Sequence, residues 1–198
     1  MTSAVFDGLS GSFRSSASII ASTGFLFMSF ALVNLAPVDV EQIVEVQALV
    51  YPAEFCESDD VFRKKLALSD AYGRAPIAFG HRDQEFGLLV SYAIAHPWHD
   101  AAPPPLHAAD WELPAVCNVL HVHDIAVAPT FRGQKLASDL MNRLSEEAQQ
   151  AGWQKLTLVA VRDSWPLWER FGFRTISSHQ YANEPGFWMS RELSPGSR

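Results

Sequence analysis

The sequence predicts one α/β domain in which short strands and helices are mixed along the chain. Three observations carry this. The 198 residues are 48% hydrophobic and 19% charged, the balance of a globular chain long enough to bury one core. Seven short stretches are strand-like and four carry helical periodicity, with no internal repeat and no low-complexity run. Leu120 to Ala137, LHVHDIAVAPTFRGQKLA, reads as a strand, a turn and a glycine-bearing loop that opens a helix.

The elements follow in order. Residues 1–27 are expected to form a loose extension ahead of a single domain at 28–198. Ala17 to Ala36 is nearly free of charge, the pattern of a signal peptide or short anchor. Against that stand one upstream base, Arg14, an acid, Asp7, and dilution of the run by Ser18, Ser22, Thr23, Gly24, Ser29 and Asn34. A cytoplasmic protein is the expectation. Ser29 to Leu35 reads as the first strand, and Pro37 ends it. Asp39 is placed to cap a helix, with Gln42 as capping-box partner, and Val40, Ile43, Val44, Ala48 and Tyr51 fall near one face. A second helix runs from Ser58 or Asp59 to about Leu68, with Val61, Phe62, Leu66 and Leu68 apolar.

Pro76 to Gly80 and Phe86 to His96 read as strands around a polar turn at His81 to Glu85. Pro97 to Pro114 holds too many prolines for a long helix or central strand, and a loop of that length is usually functional or mobile. Cys117 to Val127 is the fourth strand. The next helix begins at or just after Thr130 and runs to about Ala151, with Leu136, Leu140, Met141, Leu144 and Ala148 as its stripe and Gly152 as its stop. Lys155 to Val161 is a strand and Ser164 to Phe171 a brief helix. Phe173 to Tyr181 and Gly186 to Arg191 form a closing antiparallel pair.

Composition narrows the partners. A net charge of −7 argues against a nucleic acid or an anionic membrane and leaves room for a cationic substrate. Cys56 and Cys117 suit a reducing compartment, and neither has a Cys or His at metal-ligand spacing, so no metal is expected.

The chemistry concentrates around Leu120 to Ala137. The first N–H groups of a helix lack partners within it, so a strand feeding a glycine-bearing helix start makes a phosphate cradle. Arg132 adds a guanidinium fork suited to phosphate oxygens. His121 and His123 stand two residues apart on the preceding strand and share one face unless a bulge intervenes, which sets Asp124 on the other. Imidazole titrates near neutrality and is matched to proton transfer. Proton transfer beside a phosphate-binding loop makes an enzyme the leading reading.

These residues resemble those of the GNAT superfamily of acetyl-CoA-dependent N-acetyltransferases, whose signature is R/Q-x-x-G-x-G/A after a strand ending in Ala-Val. Arg132, Gly133 and Gln134 open the matching stretch, Lys135 stands where the second Gly is usual, and Ala137 fills the last small position. The spacing of His121, His123, Ala126 and Val127 is most similar to the arylalkylamine (serotonin) N-acetyltransferase-like branch. Leu167 to Phe173, LWERFGF, resembles the F-Y-x-x-x-G-F block. The likeness spans roughly residues 30–193. It implies a twisted, mostly antiparallel sheet of about seven strands with helices on both faces.

The resemblance also implies acetyl-CoA as co-substrate, bound by Ile125, Ala126 and Val127 along the pantetheine arm, by Arg132, Gly133, Gln134, Lys135, Leu136 and Ala137 at the pyrophosphate, and by Trp168. His121 and His123 would deprotonate a primary amine. Trp168 replaces the tyrosine that usually serves the departing CoA sulfur, and indole N–H is no usable acid; water, Ser164 or Tyr181 would supply that proton. Tyr51, Phe55, Trp98, Trp111 and Tyr181 lie where the family builds its acceptor pocket. The expected partner is a small-molecule amine, arylalkylamine- or polyamine-like, with the protein a monomer or homodimer. The alternatives are a protein or peptide N-acetyltransferase and a non-catalytic acyl-CoA-binding module.

Overall fold

A computed structural model describes residues 29–108, 110, 112–181 and 184–193. The expectation for residues 1–27 and the placement of Trp111 lie outside the described residues. Seven strands form one sheet: β1 (Phe30–Asn34), β2 (Ile77–Asp83), β3 (Leu89–Trp98), β4 (Val119–Val127), β5 (Lys155–Val161), β6 (Arg174–Tyr181) and β7 (Glu184–Glu192), in the order β1-β2-β3-β4-β5-β7-β6. Every pairing is antiparallel except β4 with β5. The helices are α1 (Val40–Val50), α2 (Asp59–Ala67), α3 (Leu136–Gln150) and α4 (Trp165–Arg170). This is the mixed, mostly antiparallel architecture that the sequence predicts.

Each face of the sheet buries its own core. Val40, Ile43 and Val46 of α1 and Phe62 of α2 pack on Tyr92, Ile94 and Ala126. On the other face Leu140, Met141, Leu144 and Ala148 of α3 pack on Ala93, Ala95, Leu120, Val122 and Leu156, with Trp168 of α4 at the margin. The α3 stripe is the one its periodicity predicts. Its end is a Schellman turn, in which Gly152, at φ 80°, donates its N–H to the Gln149 carbonyl and Trp153 donates to that of Ala148.

Four local expectations change. The capping box does not form: Asp39 Oδ2 accepts the Ala36 N–H at 2.8 Å, and Arg82 Nη2 donates to Asp39 Oδ1 at 2.5 Å. Gln42 Oε1 instead accepts from Arg82 Nη1 at 2.8 Å and from the Leu89 N–H at 2.9 Å, so both residues tie α1 to the sheet. The buried face of α1 includes Val46 and Gln47, whereas Ala48 is exposed. His81 lies within β2 rather than in a turn; it is buried, donates to Asp139 Oδ2 at 2.8 Å and accepts from Ser91 Oγ at 2.8 Å. Helix α3 starts at Leu136, after a short 3-10 turn at Pro129–Phe131 and the Arg132–Lys135 loop.

Candidate active site

The site follows from the one parallel junction in the sheet. β4 and β5 pair only at Leu120 with Leu156 and His121 with Thr157. Beyond that point the strands part, leaving backbone groups of β4 unpaired on the β5 side. Ala128 donates its N–H to Val90 on the β3 side at 2.9 Å, so by alternation the Val127 N–H faces the opened gap. A cavity of about 740 Å³ fills this gap. Val122 to Ile125 and Val127 form one wall, Leu158, Val159 and Val161 another.

One end of the cavity is cationic. Arg132, Gly133, Lys135, Leu136, Ala137 and Ser138 line it at the start of α3, with Arg170 and Trp168 from α4. Gly133 turns at φ 81° with nothing within 4 Å of the position a Cβ would take, so the loop leaves space beside the helix start. Lys135 takes the left-handed conformation, φ 64°, in the position where the second glycine is usual. That backbone costs a non-glycine residue roughly 1–2 kcal/mol, partly offset because glycine loses more entropy on folding. Lys135→Gly is therefore expected to raise stability by about 0.5–1 kcal/mol, read from the urea midpoint, while weakening affinity for a phosphate-bearing ligand.

The opposite end is acidic and built on α1, the turn after it, and α2. Glu57 and Asp124 both line the cavity. Glu57 is fixed at the backbone by Gln47, whose Nε2 donates to the Glu57 carbonyl at 3.0 Å while its Oε1 accepts the Glu57 N–H at 2.9 Å. His123 Nε2 donates to Glu57 Oε2 at 2.6 Å, and Lys65 Nζ donates to the same oxygen at 2.5 Å. The other oxygen, Oε1, accepts the His107 N–H at 2.9 Å. Burial by itself would raise Glu57, but the His123 and Lys65 charges and hydrogen bonds outweigh it and hold the carboxyl well below the ordinary range. Burial pulls Lys65 down, opposed by Glu57.

Asp124 corrects the expectation of simple alternation. Ala95 faces Val122 and Ile94 faces Asp124, so β4 carries one extra residue, His123, at a bulge. The bulge turns Asp124 onto the α1 face beside His123, where the Tyr51 hydroxyl donates at 2.6 Å and the Tyr92 hydroxyl makes a short hydrogen bond to the second oxygen. Burial raises Asp124 above the usual carboxylate range, and raises the Tyr51 and Tyr92 phenols well above theirs.

The sequence-predicted residues divide accordingly. His123, Tyr51, Phe55, Tyr181, Ile125, Val127, Arg132, Gly133, Lys135, Leu136, Ala137 and Trp168 converge on the cavity. His121 does not line it. That ring is buried and hydrogen-bonded to Thr157 Oγ1 at 3.0 Å, next to His96, with ring centroids 5.5 Å apart. Ala126 packs into the α1-side core. Gln134 is not among the lining residues, and Trp98, at the end of β3, donates its indole N–H to the Ala102 carbonyl and stacks on His99. Sequence reasoning missed Glu57, Lys65, Gln47 and Leu106 and set Asp124 on the opposite face of the strand. Only Lys65 left a signal: it stands four residues after Val61, a charge on an otherwise apolar helical stripe.

Burial also sets a pH response. It lowers His96 to about 3 and pushes His121 well below the usual imidazole value, each aided by the neighbouring histidines. On unfolding both rings bind protons below their ordinary pKa of about 6.5. Stability is therefore expected to fall as pH drops from about 6.5 toward 3, by up to about 1.4 kcal/mol per pH unit for each ring. Urea unfolding at stepped pH measures this, and His96→Gln should flatten the slope.

Among known proteins, residues 112–189 match the family model described as Acetyltransferase (GNAT) domain. No curated protein sequence matches the chain. Several solved structures superpose over most of its length. The ribosomal-protein-S18-alanine N-acetyltransferase of Escherichia coli is 17% identical, with 86% of this chain and 97% of that chain covered and a TM-score of 0.64. An aminoglycoside 6'-acetyltransferase type Ii is 19% identical, covering 84% and 99%, with a TM-score of 0.61. The PaiA N-acetyltransferase of Thermoplasma acidophilum, solved with coenzyme A, is 14% identical, covering 83% and 99%, with a TM-score of 0.57. At these identities the likeness is one of fold.

Proposed function

We propose that this chain, whose residues 112–189 match the Acetyltransferase (GNAT) domain model, is an N-acetyltransferase that moves acetyl from acetyl-CoA to the primary amine of a small, arylalkylamine- or polyamine-like molecule. The observation that carries the reading is the polarity of the cavity. Its α3 end presents helix N–H groups, Arg132 and Lys135 to an anion, and its α1 end presents Glu57 and Asp124 to a cation. A diphosphate-bearing donor and an ammonium acceptor fit those two ends, with the splayed strands between them. The open space at Gly133 and the free helix start suit a pyrophosphate. The Leu106 side chain closes on the acceptor end, and its loop is pinned by His107, which donates to Glu57 Oε1 and to the Glu54 carbonyl at 2.9 Å each. Such a roof favours a small acceptor over a protein chain.

Acetyl-CoA, when bound, supplies the thioester carbonyl that the amine attacks. The Val127 N–H polarises that carbonyl as its oxygen gains charge. His123 takes the proton from the ammonium, directly or through one water. Glu57 holds the Nε2–H, so the lone pair sits on Nδ1, which is buried without a hydrogen-bond partner among the described residues. The amine nitrogen then forms its bond to the carbonyl carbon, its second proton passes to water as the C–S bond breaks, and the sulfur leaves as thiolate. Trp168 donates at most a hydrogen bond to it. Burial raises the Tyr181 phenol, which stays protonated and lines the same cavity with Ser164.

The test is release of CoA thiol from acetyl-CoA across arylalkylamines, polyamines, amino acids and short peptides. Turnover with small amines is expected. Turnover with peptides alone would transfer the reading to a protein N-acetyltransferase, and CoA binding without thiol release to an acyl-CoA-binding module.

A further inference from the structure

We propose that Lys65, outside the cavity, is a positioning residue for His123: by sharing one carboxylate oxygen of Glu57, it lets Glu57 fix the imidazole without holding it as a permanent imidazolium. The inference rests on the reading of His123 as the base. Its ground is geometric. Lys65 Nζ and His123 Nε2 lie 2.5 and 2.6 Å from the same atom, Glu57 Oε2. The carboxylate cannot turn to offer them separate oxygens, because Oε1 is held by the His107 N–H and the Glu57 backbone is clamped by Gln47. Lys65 is the least accessible cation described, with its side chain 0% exposed.

An ionised carboxylate alone against an imidazole favours the doubly protonated ring, which has no lone pair and accepts nothing. A second cation on the same oxygen cancels most of that pull while leaving the hydrogen bond intact. The ring keeps one proton, on Nε2, and one lone pair, on Nδ1. The other groups around His123 do not substitute for Lys65. Asp124 faces it from the bulge with its charge shared between the Tyr51 and Tyr92 hydroxyls. His96 lies 6.0 Å away between ring centroids, His121 stands behind His96, and Phe62 of α2 offers only a ring edge.

The test sets two substitutions against each other in sign. In the ligand-free protein, ¹⁵N spectra of labelled histidine report the tautomer and the titration midpoint of His123. Lys65→Met is expected to move that midpoint up by about 1–3 pH units and Glu57→Gln to move it down by a similar amount. The pH profile of acetyl transfer should shift the same way. Lys65→Met/Glu57→Gln, which removes both members of the buried pair and so strands neither charge, guards against misfolding of the single variants and should titrate between them. Midpoints that move in the same direction, or not at all, overturn the proposal. Failure of the base reading is separate: it shows as a His123→Gln variant with an unchanged rate profile, whatever the two midpoints do.

Discussion

Replacing His123 with glutamine is expected to lower kcat/KM for the amine at neutral pH by roughly 10²–10⁴, the range general-base catalysis supplies. Much of the loss should return at alkaline pH. An alkyl ammonium loses its proton near pH 10, so each unit of added alkalinity raises the fraction of free amine about tenfold until then. A side chain that only shaped the pocket would lower the rate evenly across pH. His121→Gln provides the contrast. Its ring is hydrogen-bonded to Thr157 and lies off the cavity wall, so the expected effect is on stability with the shape of the rate profile kept. Steady-state kinetics of both variants over the same pH range make the comparison. An unchanged profile for His123→Gln, with the fold intact by circular dichroism, would remove His123 from the chemistry.

The second large effect is expected from Ala137→Asp. Ala137 lines the cavity in the first turn of α3. A carboxylate there meets the positive end of the helix dipole and should stabilise the fold by about 0.3–1 kcal/mol. The same carboxylate faces the place proposed for a diphosphate. Two like charges about 5 Å apart repel by roughly 1–3 kcal/mol at effective dielectric constants of about 20–60, equivalent to about a 5–150-fold loss of affinity for CoA. Thermal unfolding and calorimetric titration with CoA should thus move in opposite directions: a higher Tm and a weaker Kd. Unaltered CoA affinity in the more stable variant would place the anion site elsewhere.

Much of the cationic end of the cavity, proposed for the donor, was legible because it is local. A strand, a short loop and a helix start lie within eighteen consecutive residues, Leu120 to Ala137, and the physics of an open helix N-terminus acts over one turn. The apolar stripe of α3 and its Gly152 stop were legible for the same reason: periodicity and a left-handed C-terminal glycine are properties of neighbouring residues. The departure at Lys135 was visible as a residue type, and the structure adds only its φ of 64°.

The acidic end depended on contacts far apart in sequence. Glu57 meets His123 across sixty-six residues and Tyr92 meets Asp124 across thirty-two, pairings that no spacing announces. The bulge at His123 is likewise a product of fitting β4 to β3, and a single extra residue reversed the side on which Asp124 was expected. Trp98 shows the converse. As an aromatic in the right loop it read as a pocket residue, yet its indole N–H found the Ala102 carbonyl and the ring stacked on His99.

The sequence by itself determined the order of strands and helices, the glycine-bearing loop that opens α3 and the strand that carries the histidines, because each is set by periodicity and chain-local hydrogen bonding. Only the tertiary structure decided which histidine reaches the cavity and which buried charges surround it. That division has one physical cause. A buried charge must find its partner wherever the packed chain brings one, and here α2 brings Lys65 to the carboxylate that β4 meets with His123.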